Sequence, residues 1–383
     1  MHKVWAANAA AGLNGSFFKG MDAMRLAAGA GLDRLGLGPQ PSPSRVLHEA
    51  PGLRLRRYDS GGGPVLLIVP APIKAHWIWD LAPDCSVVRA ALAQGCQVYL
   101  VEWHAAPADW GLDEHVAAVA RASERVREAT GHRPHLMGHS LGGTLSALCA
   151  ARYPQAAASL VLVEAPLCFG ESTGALASVV HALPPGFAQR YAHVPGSLVS
   201  LGASLASPDE FITESRLDAV AAALHGPQAW RRHLLAMRWT LQELPLPGKL
   251  VAQVSDALYR EDRFMRGTLE LEGRRVTPGE VNVPITAIVD ERSRVVPARS
   301  LAGFVQATAS ERTLLQHYRG DVGVSLQHLG ALIGESAHRR IWPRVFDWLR
   351  ELEPPRADAE QASAPDLAPP AGGASPRART RYR

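Results

Sequence analysis

The stretch His135-Leu136-Met137-Gly138-His139-Ser140-Leu141-Gly142-Gly143-Thr144-Leu145 sets the fold. An apolar strand runs into Gly-x-Ser-x-Gly and leaves it through a segment of small residues with helical character. A serine raised on a sharp strand-to-helix turn is a nucleophile elbow. The glycines are needed because the backbone crowds itself at such a turn. The following helix aims its N-terminal dipole, and the amide N–H of Leu141, at the place where an oxyanion would form.

The flanking sequence supplies the context this turn needs. Leu53-Arg54-Leu55-Arg56-Arg57-Tyr58 alternates as a half-buried strand does. Val65-Leu66-Leu67-Ile68-Val69, stopped by Pro70, is a continuous apolar run. That is the pattern of a strand buried on both faces of a parallel sheet. Helical residues 87–94, a strand at 98–101 and a helix of mixed charge at 115–130 lead to the elbow. Residues 141–153 then read as helix and 160–163 as strand. The alternation predicts a mostly parallel sheet with helices on both faces.

From about residue 168 to 280 the alternation gives way to helical pieces, such as 217–224 and 230–241, and Pro-Gly turns. An inserted cap has this character. The sheet resumes at 285–289, and a helix over 337–349 closes the body. The expected architecture is an α/β-hydrolase fold with its core at 46–167 and 281–353. A largely helical cap or lid occupies 168–280, and an N-terminal arm and linker 1–45. The arm has helical spacing over 21–37, weakened by Gly29 and Gly31, and is expected to pack on the body. The tail at 354–383 is rich in Pro, Ala, Gly and Arg and is expected to stay unfolded.

A serine hydroxyl is a weak nucleophile and needs a base oriented by an acid. In chain order the acid follows a late strand and the histidine follows the last one. Asp290 ends the run at 285–289 and is the candidate acid. Three histidines lie late enough. His338 sits beside Arg339 and Arg340 on a solvated helical segment. His317 follows Leu314-Leu315-Gln316 near the last strand. His328, in the loop-like Gln327-His328-Leu329-Gly330, is preferred, with His317 next. The oxyanion is expected to meet Leu141 N–H and one amide of the loop at 71–74. Pro72 has no N–H to give, so Ile73 is chosen. Trp77, Trp79, Trp103, Trp230 and Trp239 are candidates for an apolar acyl site, but each alone fits ordinary packing.

Composition narrows the classes. With 383 residues, 47% of them apolar, the chain can bury a large core. The net charge of +4 gathers partly in Arg377, Arg379, Arg381 and Arg383. A solvated basic end explains it, and no nucleic-acid partner is expected. No apolar run has membrane-spanning length, and no compact signal-peptide core follows Met1. Cys85, Cys96, Cys149 and Cys168 form no close metal-binding or redox pair. A reducing, cytoplasmic setting is expected. His132 and His135 lack a third ligand, and Gly61-Gly62-Gly63 is a turn ahead of a strand. No metal and no cofactor are expected.

Several segments resemble the polyhydroxyalkanoate synthase group of α/β-hydrolases, the class III synthases included. They are Val69-Pro70-Ala71-Pro72-Ile73 with Ile78-Trp79-Asp80-Leu81, Val98-Tyr99-Leu100-Val101-Glu102-Trp103, and the elbow at 138–145. Further along are Leu244-Pro245-Leu246-Pro247-Gly248, Asp290 ahead of Val296-Pro297, and His328-Leu329-Gly330 ahead of Trp348-Leu349. The likeness runs from about residue 63 to 350. It departs at the centre, because those synthases use a cysteine nucleophile and this chain has Ser140. Cys149, two turns into the helix, cannot replace it without moving. Thiolates exchange readily with thioesters, whereas a serine acyl-enzyme is more typical of esterases. The first expectation is therefore a serine hydrolase of hydroxyacyl esters or thioesters, of esterase, thioesterase or depolymerase type. The alternative is a synthase that polymerises hydroxyacyl-CoA through serine. A third reading is a non-catalytic relative that binds a granule or a partner. The resemblance implies an acyl substrate, such as hydroxyacyl-CoA or a polyester, and allows a homodimer or granule association.

Overall fold

In a computed structural model, residues 2–58, 61–170 and 174–353 are described, with side chains from Ser16 onward. The tail at 354–383, expected to be unfolded, lies outside them.

Eight strands form one sheet: β1 (Ser44–Ala50), β2 (Leu53–Tyr58), β3 (Val65–Val69), β4 (Gln97–Trp103), β5 (His135–His139), β6 (Ser159–Val163), β7 (Ile285–Asp290) and β8 (Thr313–Tyr318). Their order is β1-β2-β4-β3-β5-β6-β7-β8. β2 is antiparallel to β1 and β4, and the remaining pairs are parallel. The chain opens with α1 (His2–Leu32). The first crossovers supply α2 (Val87–Ala93), α3 (Leu112–Thr130) and α4 (Leu141–Arg152). Between β6 and β7 lie α5 (Leu176–Ala182), α6 (Gly196–Ala206), α7 (Ser215–His225), α8 (Pro227–Thr240) and α9 (Gly248–Gln253). α10 (Ala298–Ala307) links β7 to β8, and α11 (Gln327–Ile333), α12 (Glu335–Arg340) and α13 (Trp342–Leu352) follow. The fold is α/β, an eight-stranded, mostly parallel sheet flanked by helices.

The apolar run at β3 is buried throughout. Val65, Leu67 and Val69 join one core with α3, α4 and α10, while Leu66 and Ile68 join another with α2, α11 and α13. That alternation is the two-residue period of a strand filled on both faces. Among the described residues no helix is long and apolar enough to cross a membrane.

Three local expectations change. The linker before Val46 is shorter than expected, because Ser44 already pairs with Tyr58 in an edge strand. It is anchored by the backbone N–H of Ser42, which donates to buried Asp80 at 2.5 Å. The closing helix is two helices, since Pro343 sits in the first turn of α13 and cannot continue α12. The arm helix runs from His2 to Leu32 despite Gly29 and Gly31, and packing supplies the reason. Arg238 donates twice to Asp33 at 2.7 Å, and Ser197 N–H donates to Asp22 at 2.8 Å. The buried carboxylate of Glu243 accepts from Arg25 on α1 at 3.2 Å, from Lys74 after β3 at 2.8 Å, and from Ser200 on α6.

Candidate active site

Ser140 stands between β5 and α4 with φ 52° and ψ −130°, a strained conformation for a residue with a side chain. Its N–H donates to Val163 O at 3.0 Å, which ties the turn to β6. The flanking glycines are steric necessities. A Cβ at Gly142 would lie 2.1 Å from Val69 O, and one at Gly138 would lie 2.5 Å from Gly142 O. Among the described residues Ser140 Oγ makes no hydrogen bond, and the N–H groups of Leu141 and Ile73 have no protein acceptor. Ile73, Ser140 and Leu141 line one cavity of about 340 Å³. Its remaining wall is mostly aliphatic and comes from the segment between β6 and β7, with Val179, Val180, Leu198, Leu250 and Leu258 among the contributors.

His328 opens α11 and is mostly buried. Its Nδ1 lies 3.0 Å from Oε2 of Glu164, which is buried immediately after β6. Its backbone carbonyl accepts from His139 Nε2 at 2.8 Å, and the two imidazole rings lie 4.4 Å apart. Asp290 was the expected partner of His328, but its carboxylate points elsewhere. It accepts from Arg292 through the backbone N–H at 2.9 Å, Nε at 3.1 Å and Nη2 at 2.9 Å. A guanidinium two residues away offers a fork that fits the carboxylate, and it holds Asp290 against the loop. Asp290 and His328 line a second cavity together with Glu210, Glu214 and Arg292.

The other histidines are placed elsewhere. His317 is exposed on β8, 3.0 Å from Glu291, and His338 lies 2.8 Å from Leu332 O. Trp77, Trp79, Trp103 and Trp239 are buried in packing, and none of the five candidate tryptophans lines the cavity at Ser140. Cys149 is fully buried, and burial pushes its thiol up to about 12. It is neither accessible nor ionised, so it cannot stand in for Ser140.

Two groups in contact with His328 are shifted by burial. Burial drives His139 well below the usual histidine range, and the neighbouring His328 adds to the effect. Burial raises the Glu164 carboxyl, with the charge and hydrogen bond of His328 opposing it. Glu164 is absent from the residues the sequence singled out. It had a signal there, an acid directly after the buried run Leu160-Val161-Leu162-Val163. This is the same signal that recommended Asp290.

A family model described as alpha/beta hydrolase fold matches residues 64–313. The poly(3-hydroxyalkanoate) polymerase subunit PhaC of Haloferax mediterranei is 27% identical over 81% of this chain and 64% of its own length. The subunit from Haloarcula marismortui is 25% identical over 81% of this chain and 68% of its own. That from Allochromatium vinosum is 25% identical over 81% and 89%. The chain thus spans about two thirds of the first two relatives. The crystal structure of Paleococcus ferrophilus monoacylglycerol lipase superposes with a TM-score of 0.49 at 16% identity, over 79% of this chain and 99% of that one. The family match runs from just before β3 to the first residue of β8 and takes in the elbow. The chain therefore belongs to the alpha/beta hydrolase fold family, and within it is similar to poly(3-hydroxyalkanoate) polymerase subunits.

Proposed function

We propose that the chain is an acyltransferase of the poly(3-hydroxyalkanoate) polymerase type, working through Ser140 on hydroxyacyl-CoA. The similarity to the polymerase subunits over four-fifths of the chain carries this reading. The aliphatic cavity at Ser140 supports it, since it offers an apolar acyl side chain a mostly aliphatic wall beside the hydroxyl.

In this reading His328 Nε2 takes the proton of Ser140 Oγ, and Oγ bonds to the thioester carbonyl carbon. The oxyanion is met by Leu141 N–H and Ile73 N–H. Collapse breaks the C–S bond, and the proton passes from Nε2 to the departing thiolate, which leaves as free CoA. The hydroxyl of a second hydroxyacyl group then gives its proton to Nε2 and attacks the acyl-serine. An ester forms, and Ser140 recovers its proton.

Hydrolysis is the second reading, favoured by the serine nucleophile itself. Water would then replace the hydroxyacyl alcohol in the last step. A single assay separates the two. Incubation with 3-hydroxyacyl-CoA should release CoA and yield ester-linked oligomer, and Ser140→Ala should lower the rate by roughly 10⁴- to 10⁶-fold. Release of CoA with monomeric acid as the product would replace the polymerase reading with the hydrolase one. Near-native turnover by Ser140→Ala would end both.

A further inference from the structure

We propose that Glu164, in place of Asp290, is the positioning carboxylate for the base His328. The inference rests on Ser140 and His328 being nucleophile and base, and it adds the residue that holds the base in its working tautomer.

Sheet register brings the three groups together. His139 of β5 pairs with Val163 of β6, so Ser140 and Glu164 are the next residues along two neighbouring strands. Asp290 belongs to β7, one strand further from the elbow, and lies two residues beyond Ile288, the partner of Val163. His328 reaches over this edge with its carbonyl tied to His139 and its Nδ1 on Glu164 at 3.0 Å.

The local backbone fits the same role. Glu164 has φ 41°, a left-handed conformation that a non-glycine residue adopts only where its surroundings hold it there. Its N–H donates to Ile288 O at 2.9 Å, which fixes the turn and with it the direction of the side chain. The carboxylate is buried, and Oε1 has no hydrogen-bond partner among the described residues. His328 is thus the one group described here that engages the Glu164 side chain. Asp290 has a complete alternative role in its three bonds to Arg292.

The chemistry follows from what a carboxylate can accept. Ionised Glu164 has no proton to give, so the proton sits on Nδ1 of His328 and Nε2 keeps its lone pair. That lone pair is what removes the Ser140 proton. When Nε2 takes it, the imidazolium forms beside a buried negative charge with few competing partners. The pair then strengthens in the transition state, where stabilisation raises the rate. Glutamine at the same place would offer an N–H to Nδ1 and favour the opposite tautomer.

The test uses the full chain, with Glu164→Gln and Asp290→Asn checked for native circular dichroism and urea midpoint. The readouts are the Nδ1 proton resonance of His328, fluorophosphonate labelling of Ser140 and hydroxyacyl-CoA turnover. Wild type should show a far-downfield Nδ1–H resonance and an unprotonated Nε2. Glu164→Gln should lose that resonance and slow labelling and turnover by roughly 10³- to 10⁴-fold with KM little changed, as tautomer reversal does in a serine triad. Asp290→Asn should keep the resonance and lose less than tenfold. Glu164→Asp, which keeps the charge one methylene further back, should recover at least tenfold over the glutamine variant. The proposal is overturned if Asp290→Asn removes the resonance and the rate while Glu164→Gln keeps them. Should Glu164→Gln fail to fold, a proton on Nε2 in the wild type overturns it as well. Absence of labelling and turnover in the wild type would instead defeat the reading of Ser140, whereas the resonance would still report on Glu164.

Discussion

His139 occupies the unspecified second position of Gly-x-Ser-x-Gly, yet its ring donates to the backbone of the residue proposed as base. Burial keeps the ring neutral, so it carries one N–H, and that N–H sits on Nε2 facing the His328 carbonyl. Replacing His139 by leucine removes this tether and leaves the carbonyl short of a donor. A hydrogen bond of this kind is worth about 1 kcal/mol net. Turnover should therefore fall about five- to tenfold with KM nearly constant, measured on the same thioester, and an unchanged kcat would show that the tether does not position the loop. The turn at Ser140 was legible in the sequence because its requirements are local: a strand, two crowded glycines and a helix. The contact between Glu164 and His328 was not, because the chain-order rule sends the search for an acid to the later strand. Only the strand order, with β6 beside β5, reveals that an acid after β6 lies closer to the elbow. Asp290 looked equally suitable in one dimension. Arg292, two residues on, was visible in the sequence, but its side chain folding back onto Asp290 was not.

Among the elements, the buried strands were the most legible, because a parallel sheet demands continuous apolar runs and little else does. The edge strand β1 escaped notice because an exposed edge carries no such demand, and its residues are mostly exposed. The helices between β6 and β7 were visible only in outline. Their positions depend on which apolar faces meet over the elbow, and hydropathy alone does not choose partners. One position on α6 makes the consequence testable. Gly202 lines the cavity at Ser140, and a Cβ there would meet only Val179 Cγ1, at 3.9 Å. Leucine at 202 should thus be accepted by the helix and occupy cavity space. Each acyl methylene displaced is worth about 0.8 kcal/mol, or roughly fourfold in kcat/KM. The expected outcome is a tenfold or greater loss for acyl side chains long enough to reach α6, with short ones spared. Equal losses across a chain-length series would place the acyl group elsewhere.

Across the whole molecule, burial lowers several histidines, which predicts that stability falls in acid. Burial lowers His115, His139 and His338 below their ordinary value, and lowers His76 to about 4. These rings are neutral in the native state and take up protons on unfolding below about pH 6.5. The unfolded chain then binds more protons, so stability rises with pH in this range and is lost as pH falls. Each such ring contributes up to about 1.4 kcal/mol per pH unit, and the raised Glu164 carboxyl opposes only part of it. Unfolding free energy from urea titration should drop by about 3 kcal/mol or more between pH 7.5 and 5.5. A flat profile would mean that the rings are protonated in the native state.

The carboxylate of Glu243 extends this view to the architecture as a whole. It clasps α1 through Arg25, α6 through Ser200, and, through Lys74, the loop that presents the Ile73 amide. Leu244 N–H holds the Ile73 carbonyl at 2.9 Å, so the same short segment grips that loop twice. The first helix and the loop carrying the Ile73 amide are thus held by the same buried carboxylate. The amino-terminal arm and the loop after β3 share an anchor that Glu243 supplies from 218 residues further along the chain than Arg25.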